Sequence, residues 1–481
     1  MNRNDVNFRL LRRQACAPWD FVNNARSMMR AAWVRGFFMA GIFGAAFGAS
    51  NTTFAADSVV LDLPKILEAA DKNHPNILAA RARLLGVRAQ LDEAHRAPFS
   101  QFKMTGGVGL APTVLGNNIF SPNTDVSLTS SLGLAWRASI DGALPLWTFG
   151  KMTNLWAAAE ANVHLNEATI EKERDAVRLD VRRAYFGLQL ARDSKLLLAE
   201  VRKAVKKGVD KVTEQVENDE VDPVELYKMQ TYVAEIEVRE SEATRFATVA
   251  LAGLRFYSGI EKVDIPDEPL HGPKHKLLGL TRYLLAANVN RPEIQMARYG
   301  VMARSAQLEV ARAQVFPDIG LGLNLGYARA PEVTNQINPF GADSVNFFWY
   351  GAGIVFNWKL DMFAQSARIR YAQAQLEEVR ALEKFATGGT GAEVETAYAE
   401  VVDWQKRVDA YYKAQSSAKK WMIAVQQGVD VGTREDKDVL DPAKSYATNR
   451  FAWMNATMEL DMAMSRLAKA TGWDAIAPDG T

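Results

Sequence analysis

Both halves of this 481-residue chain follow one plan. VDPVELY at 221–227 returns in outline as LDPAKSY at 440–446, and the likeness extends well beyond those seven residues. At an offset of 217, Pro75-Asn76-Ile77 meets Pro292-Glu293-Ile294, Ala89-Gln90-Leu91 meets Ala306-Gln307-Leu308, and Phe99 meets Phe316. Glu171-Lys172 and Ala184-Tyr185 return as Glu383-Lys384 and Ala397-Tyr398 at offsets of 212 and 213. Preserved order with a small drift in offset marks a duplicated unit that has gained and lost loop residues. Two structural repeats are therefore expected, 56–270 and 271–481, joined by the Pro- and Gly-bearing stretch IPDEPLHGPKHK.

Within each repeat the hydrophobic period changes in step. NILAARARLLGVRAQL spaces its apolar residues by three and four, the signature of a helix. The period then becomes two. Phe102, Met104, Val108 and Leu110 alternate with polar or small residues, as do Val126, Leu128, Leu132, Leu134, Trp136, Ala138 and Ile140. The second repeat matches with Ile319, Leu321, Leu323, Leu325 and Tyr327, then Phe348, Tyr350, Ile354, Phe356, Trp358 and Leu360. These predict two hairpins, about 101–147 and 318–361, with polar tips at 115–124 and 334–343.

Strands of about ten residues with one apolar face and aromatic ends fit a tilted bilayer crossing. Backbone exposed to lipid must be fully hydrogen-bonded, so an open sheet edge is forbidden there. Four strands are too few to close on themselves, since single-chain barrels begin at about eight. Several chains must share one barrel, and a homotrimer supplies twelve strands.

After each hairpin comes a long helix. Residues 151–207 contain no Pro and a single Gly, and a helix continued to about 216 would be on the order of 100 Å long. Asp222-Pro223 starts the return helix, with Asp as N-cap, Pro at the first helical position and Glu225 three residues after the cap. Asp441-Pro442 is expected to restart the second return helix in the same way.

Arg30 and Arg35 precede the apolar run GFFMAGIFGAAFGA, and small residues follow at 53–56, so residues 1–55 are expected to be an export signal peptide. The single cysteine, Cys16, lies upstream of that run, which leaves the remaining chain without disulfides, thiolate metal ligands or a thiol nucleophile. Removing 1–55 takes away seven Arg and two Asp, so 50 basic and 54 acidic residues remain. Such a balance offers no concentrated basic face for nucleic acid.

At this point the chain resembles the TolC family of trimeric outer-membrane efflux and secretion channels. VGTREDKDVLDP at 431–442 is similar to the family's second periplasmic turn, VTEQVENDEVDP at 212–223 is a weaker likeness of its first, and Pro145-Leu146-Trp147 resembles its strand-to-helix junction. The resemblance implies an α+β membrane protein. Its trimeric 12-stranded β-barrel, four strands per chain, would continue into a long α-helical coiled-coil periplasmic tunnel. It implies a homotrimer set in outer-membrane lipid, docked to a periplasmic adaptor (membrane fusion) protein and driven by an inner-membrane pump of RND, ABC or MFS type. Carried over by position, Arg434 is the latch of a gate at the tip, Asp219 its partner in the neighbouring first turn, and Asp438 and Asp441 an acidic ring. Gly432 shapes the second turn. The first turn is expected to carry Thr213 in the glycine's place, and Val429 replaces a tyrosine of the family's gate. The contrasting possibility is a structural coiled-coil protein of the envelope without transport.

Other motifs offer little chemistry, and neither a cofactor, a metal site nor catalytic residues are expected. TGGTGAE at 387–393 lacks the Gly-Lys-Ser/Thr of a phosphate loop, and its Gly388, Gly389 and Gly391 predict a kink or bulge in the second long helix. GLGLNLG at 320–326 alternates like a strand. His271 and His275 lie together in the linker and are expected to be solvated. Asn455-Ala456-Thr457 falls inside a helix. No buried carboxylate pair is expected either.

Overall fold

The computed structural model describes residues 59–99, 101–115, 127–335, 343 and 345–475, all within one unit, Ala56–Thr481. The expected signal peptide and most of both polar strand tips lie outside the described residues. Chain order begins with β1 (Val59–Val60), α1 (Leu63–Asn73), α2 (Pro75–Arg96), β2 (Phe102–Leu115), β3 (Ser127–Trp147), α3 (Lys151–Glu217) and α4 (Pro223–Ser258). It continues with β4 (Val263–Asp264), α5 (Leu280–Asn290), α6 (Pro292–Ala313), β5 (Asp318–Arg329), β6 (Phe347–Asn357), α7 (Met362–Asp430) and α8 (Leu440–Thr471). Two short helices, two strands, a long helix and a return helix thus occur twice.

The packing also repeats position by position. One core joins Ile66 and Ala70 of α1 to Val181, Ala184 and Leu188 of α3 and Leu254 of α4. The other joins Tyr283 and Ala287 of α5 to Val394, Ala397 and Val401 of α7 and Leu467 of α8. Those pairs are related by the offsets 217 and 213 seen in the sequence. Each return helix ends on a left-handed glycine, Gly259 (φ 69°) and Gly472 (φ 70°). A Cβ on Gly259 would lie 2.9 Å from Cβ of Asn73, and one on Gly472 only 2.6 Å from the carbonyl carbon of Asn290. Asn73 and Asn290 are the last residues of α1 and α5, so each repeat closes where the return helix meets its first helix.

A small parallel ladder, Val59 to Val263 and Val60 to Asp264, joins the start of the described chain to the residues just before the linker. The period-two pattern gave no sign of it, because two residues per strand carry no alternation.

β2, β3, β5 and β6 form one antiparallel sheet in that order. β2 has 14 residues and β3 has 21, both longer than the expected ten. β3 spans both neighbours: residues 102–115 of β2 pair along 127–142, and β5 pairs along 136–147. Register puts Val108 beside Trp136, Met104 beside Ile140, Ile140 beside Leu325 and Leu325 beside Tyr350, so apolar side chains share one face. That face is open, with Val108 73%, Tyr350 77% and Ile354 78% exposed. The opposite face carries Lys103, Asp141 and Asn324 in one cross-strand row.

The three glycines near 390 do not interrupt their helix. α7 runs 69 residues without a break. Each of Gly388, Gly389 and Gly391 has open space where a Cβ would sit, and Thr390 Oγ1 donates to Ala386 O at 2.7 Å. Backbone bonding tolerates glycine in a helix at about 1 kcal/mol each, too little to break so long a ladder.

Candidate functional site

At one end of the helices the chain makes two tips. α3 ends with Asn218 N donating to Glu214 O, Asp219 N to Val216 O and Glu220 N to Gln215 O. α7 ends the same way, with Val431 N donating to Gln427 O, Gly432 N to Val429 O and Thr433 N to Gly428 O. Asp219 (φ 59°) therefore stands where Gly432 (φ 77°) stands, both in the left-handed region. The likeness of the two turns leads one to expect Thr213 there. Thr213 instead lies inside α3, its hydroxyl donating to Val209 O at 2.8 Å. An aspartate is one of the few side-chain-bearing residues that enter this region readily.

The offset is thus 213 at the turn but 219 at the Asp-Pro pairs, so the second tip carries six more residues. They hold a short 3₁₀ turn, Asp436–Val439, whose start is closed by a reciprocal capping box of Glu435 and Asp438. Asp436 accepts from Lys211 Nζ of α3 at 3.0 Å, which fastens the extra turn to the first repeat. Val212, Met229, Tyr232, Ala443 and Tyr446 form the apolar base under both tips.

The two caps differ for the same reason. Asp222 caps α4 as expected, accepting from Val224 N at 2.9 Å with Pro223 at the first helical position. Asp441 does not cap α8. The 3₁₀ turn leads straight into that helix, which therefore starts at Leu440, with Val439 at the cap position and no side-chain cap bond. Pro442 is then its third residue, where a missing N–H is still tolerated.

Arg434, Asp219 and Asp441 are exposed and Asp438 is half-buried. Among the described residues Arg434 forms no ion pair within the chain, so the chain by itself does not join Arg434 to Asp219. Around them Glu214, Glu217, Glu220, Asp222, Asp430 and Asp436 make the end strongly acidic.

Several buried polar groups were not foreseen. Asp175, Asp461 and Asp474 are respectively 2%, 5% and 1% exposed. Burial, with Asp474 nearby, pushes the Asp175 carboxyl up to about 7, and burial alone pushes Asp461 up to about 8. Arg182 Nη1 donates to Asp474 at 2.7 Å, and Arg178 Nη2 donates to Asp71 at 2.7 Å while Nη1 donates to Asp474 O. Partners 292 residues apart are invisible to a reading of local spacing. Asp461 had a signal, since it shares a helical face with Met454, Thr457 and Ser465. His275 is half-buried rather than solvated, hydrogen-bonded to Tyr283 at 3.2 Å and edge-on to Trp473.

Among the described residues no helix is long and apolar enough to cross a membrane. A lipid-ready sheet face joined to helices of about 100 Å defines instead the class of outer-membrane channel subunits. The family model described as outer membrane efflux protein matches residues 66–259 and 284–473, and the chain belongs to that family. It is an outer-membrane protein with a periplasmic helical part. It is 24% identical over 429 residues to the solvent efflux pump outer membrane protein SrpC of Pseudomonas putida, covering 85% of each chain. Its fold matches the Campylobacter jejuni CmeC outer membrane channel with TM-score 0.69 and 16% identity, covering 90% of this chain and 94% of that one. It also matches the open state of the Neisseria gonorrhoeae MtrE outer membrane channel, with TM-score 0.67, 17% identity, and 90% and 98% covered.

Proposed function

We propose that three copies close one twelve-stranded barrel in the outer membrane, continued by their helices as a periplasmic tunnel, and that this duct is the passive exit of a tripartite pump. The observation that carries this is the sheet itself. β2 and β6 are both edge strands, of 14 and 11 residues, beside a face of exposed apolar side chains. Unpaired backbone is not tolerated in hydrocarbon, so each edge needs the opposite edge of a neighbouring copy. An adaptor protein at the periplasmic end and an inner-membrane pump supply coupling and energy. The repeat boundaries, 56–270 and 271–481, correspond to the two hairpins and their helices.

The tips are the gate. Arg434, which forms no ion pair among the described residues, reaches Asp219 of a neighbouring copy, and Asp438 and Asp441 line the opening. Carboxylates gathered around a narrow pore attract cations and repel anions. Exposed ion pairs contribute about 0–1 kcal/mol each, which suits a gate that a docking partner must open.

Purified protein in detergent micelles is expected to run as a heat-resistant trimer and to form channels in a planar bilayer. A monomer that stays soluble without detergent overturns the proposal.

A further inference from the structure

The four long helices lie side by side in the order α4, α3, α8, α7, which leaves α4 and α7 as the outer two. Each return helix turns one side to the core of its own repeat. On α4 that side carries Ala247, Ala250, Leu254 and Tyr257; on α8, at a constant offset of 213, it carries Leu460, Ala463, Leu467 and Ala470. Their other sides differ. Thr457, Asp461, Met462 and Ser465 of α8 are buried, with α3 alongside. The same positions on α4, namely Thr244, Thr248, Val249 and Ala252, are all exposed.

The longer helices repeat the contrast. Beside the residues that face its own core, α3 buries Asp175, Arg178 and Arg182. Their counterparts on α7 are Gly388, Gly391 and Glu395. Gly388 and Glu395 are exposed, and a Cβ on either glycine would enter open space. Inside the chain this side of α3 is fastened to the end of the second repeat. Arg182 Nη1 donates to Asp474 Oδ1 at 2.7 Å, and Arg178 Nη1 donates to Asp474 O. Asp474 stands two residues past Gly472; two residues past Gly259 stands Glu261, which is exposed.

In a closed ring of doubled subunits, the contact that α3 makes with α8 inside a chain recurs between α7 of one copy and α4 of the next. We infer that the side of α4 bearing Thr244, Thr248 and Ala252 is the docking surface for the side of α7 bearing Gly388, Gly391 and Glu395 in a second copy. This seam sets Glu395 against Glu261 of the neighbouring copy, where the seam inside the chain has Arg182 on Asp474. The inference rests on the trimeric duct proposed above and gives that ring two kinds of seam. One is locked by a buried, charge-assisted pair. The other brings two carboxylates together, which repel, and has glycine where Arg178 fills the space.

The test uses the full chain in detergent micelles and reads, on a denaturing gel, the temperature at which the trimer separates. Glu395→Arg restores opposite charges to the seam and is expected to raise that temperature by several degrees. Adding Glu261→Arg sets two cations against each other and is expected to cancel the gain. Thr396→Arg, at the counterpart of the exposed Arg183 and on the side away from the seam, is expected to change nothing. A temperature not raised by Glu395→Arg, raised as much by Thr396→Arg, or still raised in the double variant overturns the docking surface while leaving the duct intact. Protein that is not a trimer overturns the duct reading itself.

Discussion

Single residues in this chain are constrained chiefly by backbone geometry and by burial. Gly472 has φ 70° and no room for a Cβ beside Asn290. Gly472→Ala is expected to cost about 1–3 kcal/mol, read as a lowered unfolding midpoint. Gly391→Ala, in open helical space, is expected to be neutral or to stabilise by about 1 kcal/mol. Asp461 shows the effect of burial. Its folded value of about 8 lies far above the ordinary 3.8, so the folded chain keeps a proton that the unfolded chain releases. Stability is therefore fullest below about pH 4 as far as this group is concerned, and it is lost as pH rises toward 8, with a slope of at most about 1.4 kcal/mol per pH unit. Asp175, held up to about 7, acts in the same direction. The gap between denaturation midpoints at pH 5.5 and 8.5 should narrow in Asp461→Asn, the remainder reporting Asp175; an undiminished gap would count against the buried acid. Arg434→Ala, by loosening the proposed latch, is expected to raise the single-channel conductance of the closed trimer in a planar bilayer. An unchanged conductance rules out the latch.

Among whole elements, periodicity decided what could be read. The strands of 11 to 21 residues carry a period of two, and the helices of 67 and 69 residues were legible as long runs without proline. Element ends were less plain. Asp222 and Asp441 stand in nearly the same local sequence, yet one caps a helix and the other does not. The difference lies upstream, in the capping box of Glu435 and Asp438, whose Glu-x-x-Asp pattern was hidden in a charged turn. Asp222→Ala is accordingly expected to cost about 1 kcal/mol and Asp441→Ala less than half of that, measured by thermal unfolding. The 3₁₀ turn after α8, Trp473–Ala475, belongs to this scale too. It is pinned to α3 by the buried Arg182–Asp474 pair, and Asp474→Ala removes that charge-assisted hydrogen bond, at an expected cost of about 1.5–3 kcal/mol read as a lowered unfolding midpoint.

For the molecule as a whole, the two faces of the sheet make opposite demands. Ile354 lies on the apolar face and Gly353 on the polar one, one residue away in the same edge strand. Ile354→Arg is expected to cost about 2–4 kcal/mol of membrane insertion and to deplete trimer from outer-membrane fractions. Gly353→Arg, whose side chain enters open space, is expected to assemble and to alter ion selectivity instead. Equal loss in both would argue against a lipid face. The added six residues of the second tip reach further. In the proposed trimer a doubled subunit arranged three times around an axis would offer six similar ends, but with tips of two lengths they would alternate round the mouth. Any ring that caps it must meet two unlike seats in turn, and so reads a triangle where the doubling alone would have drawn a hexagon.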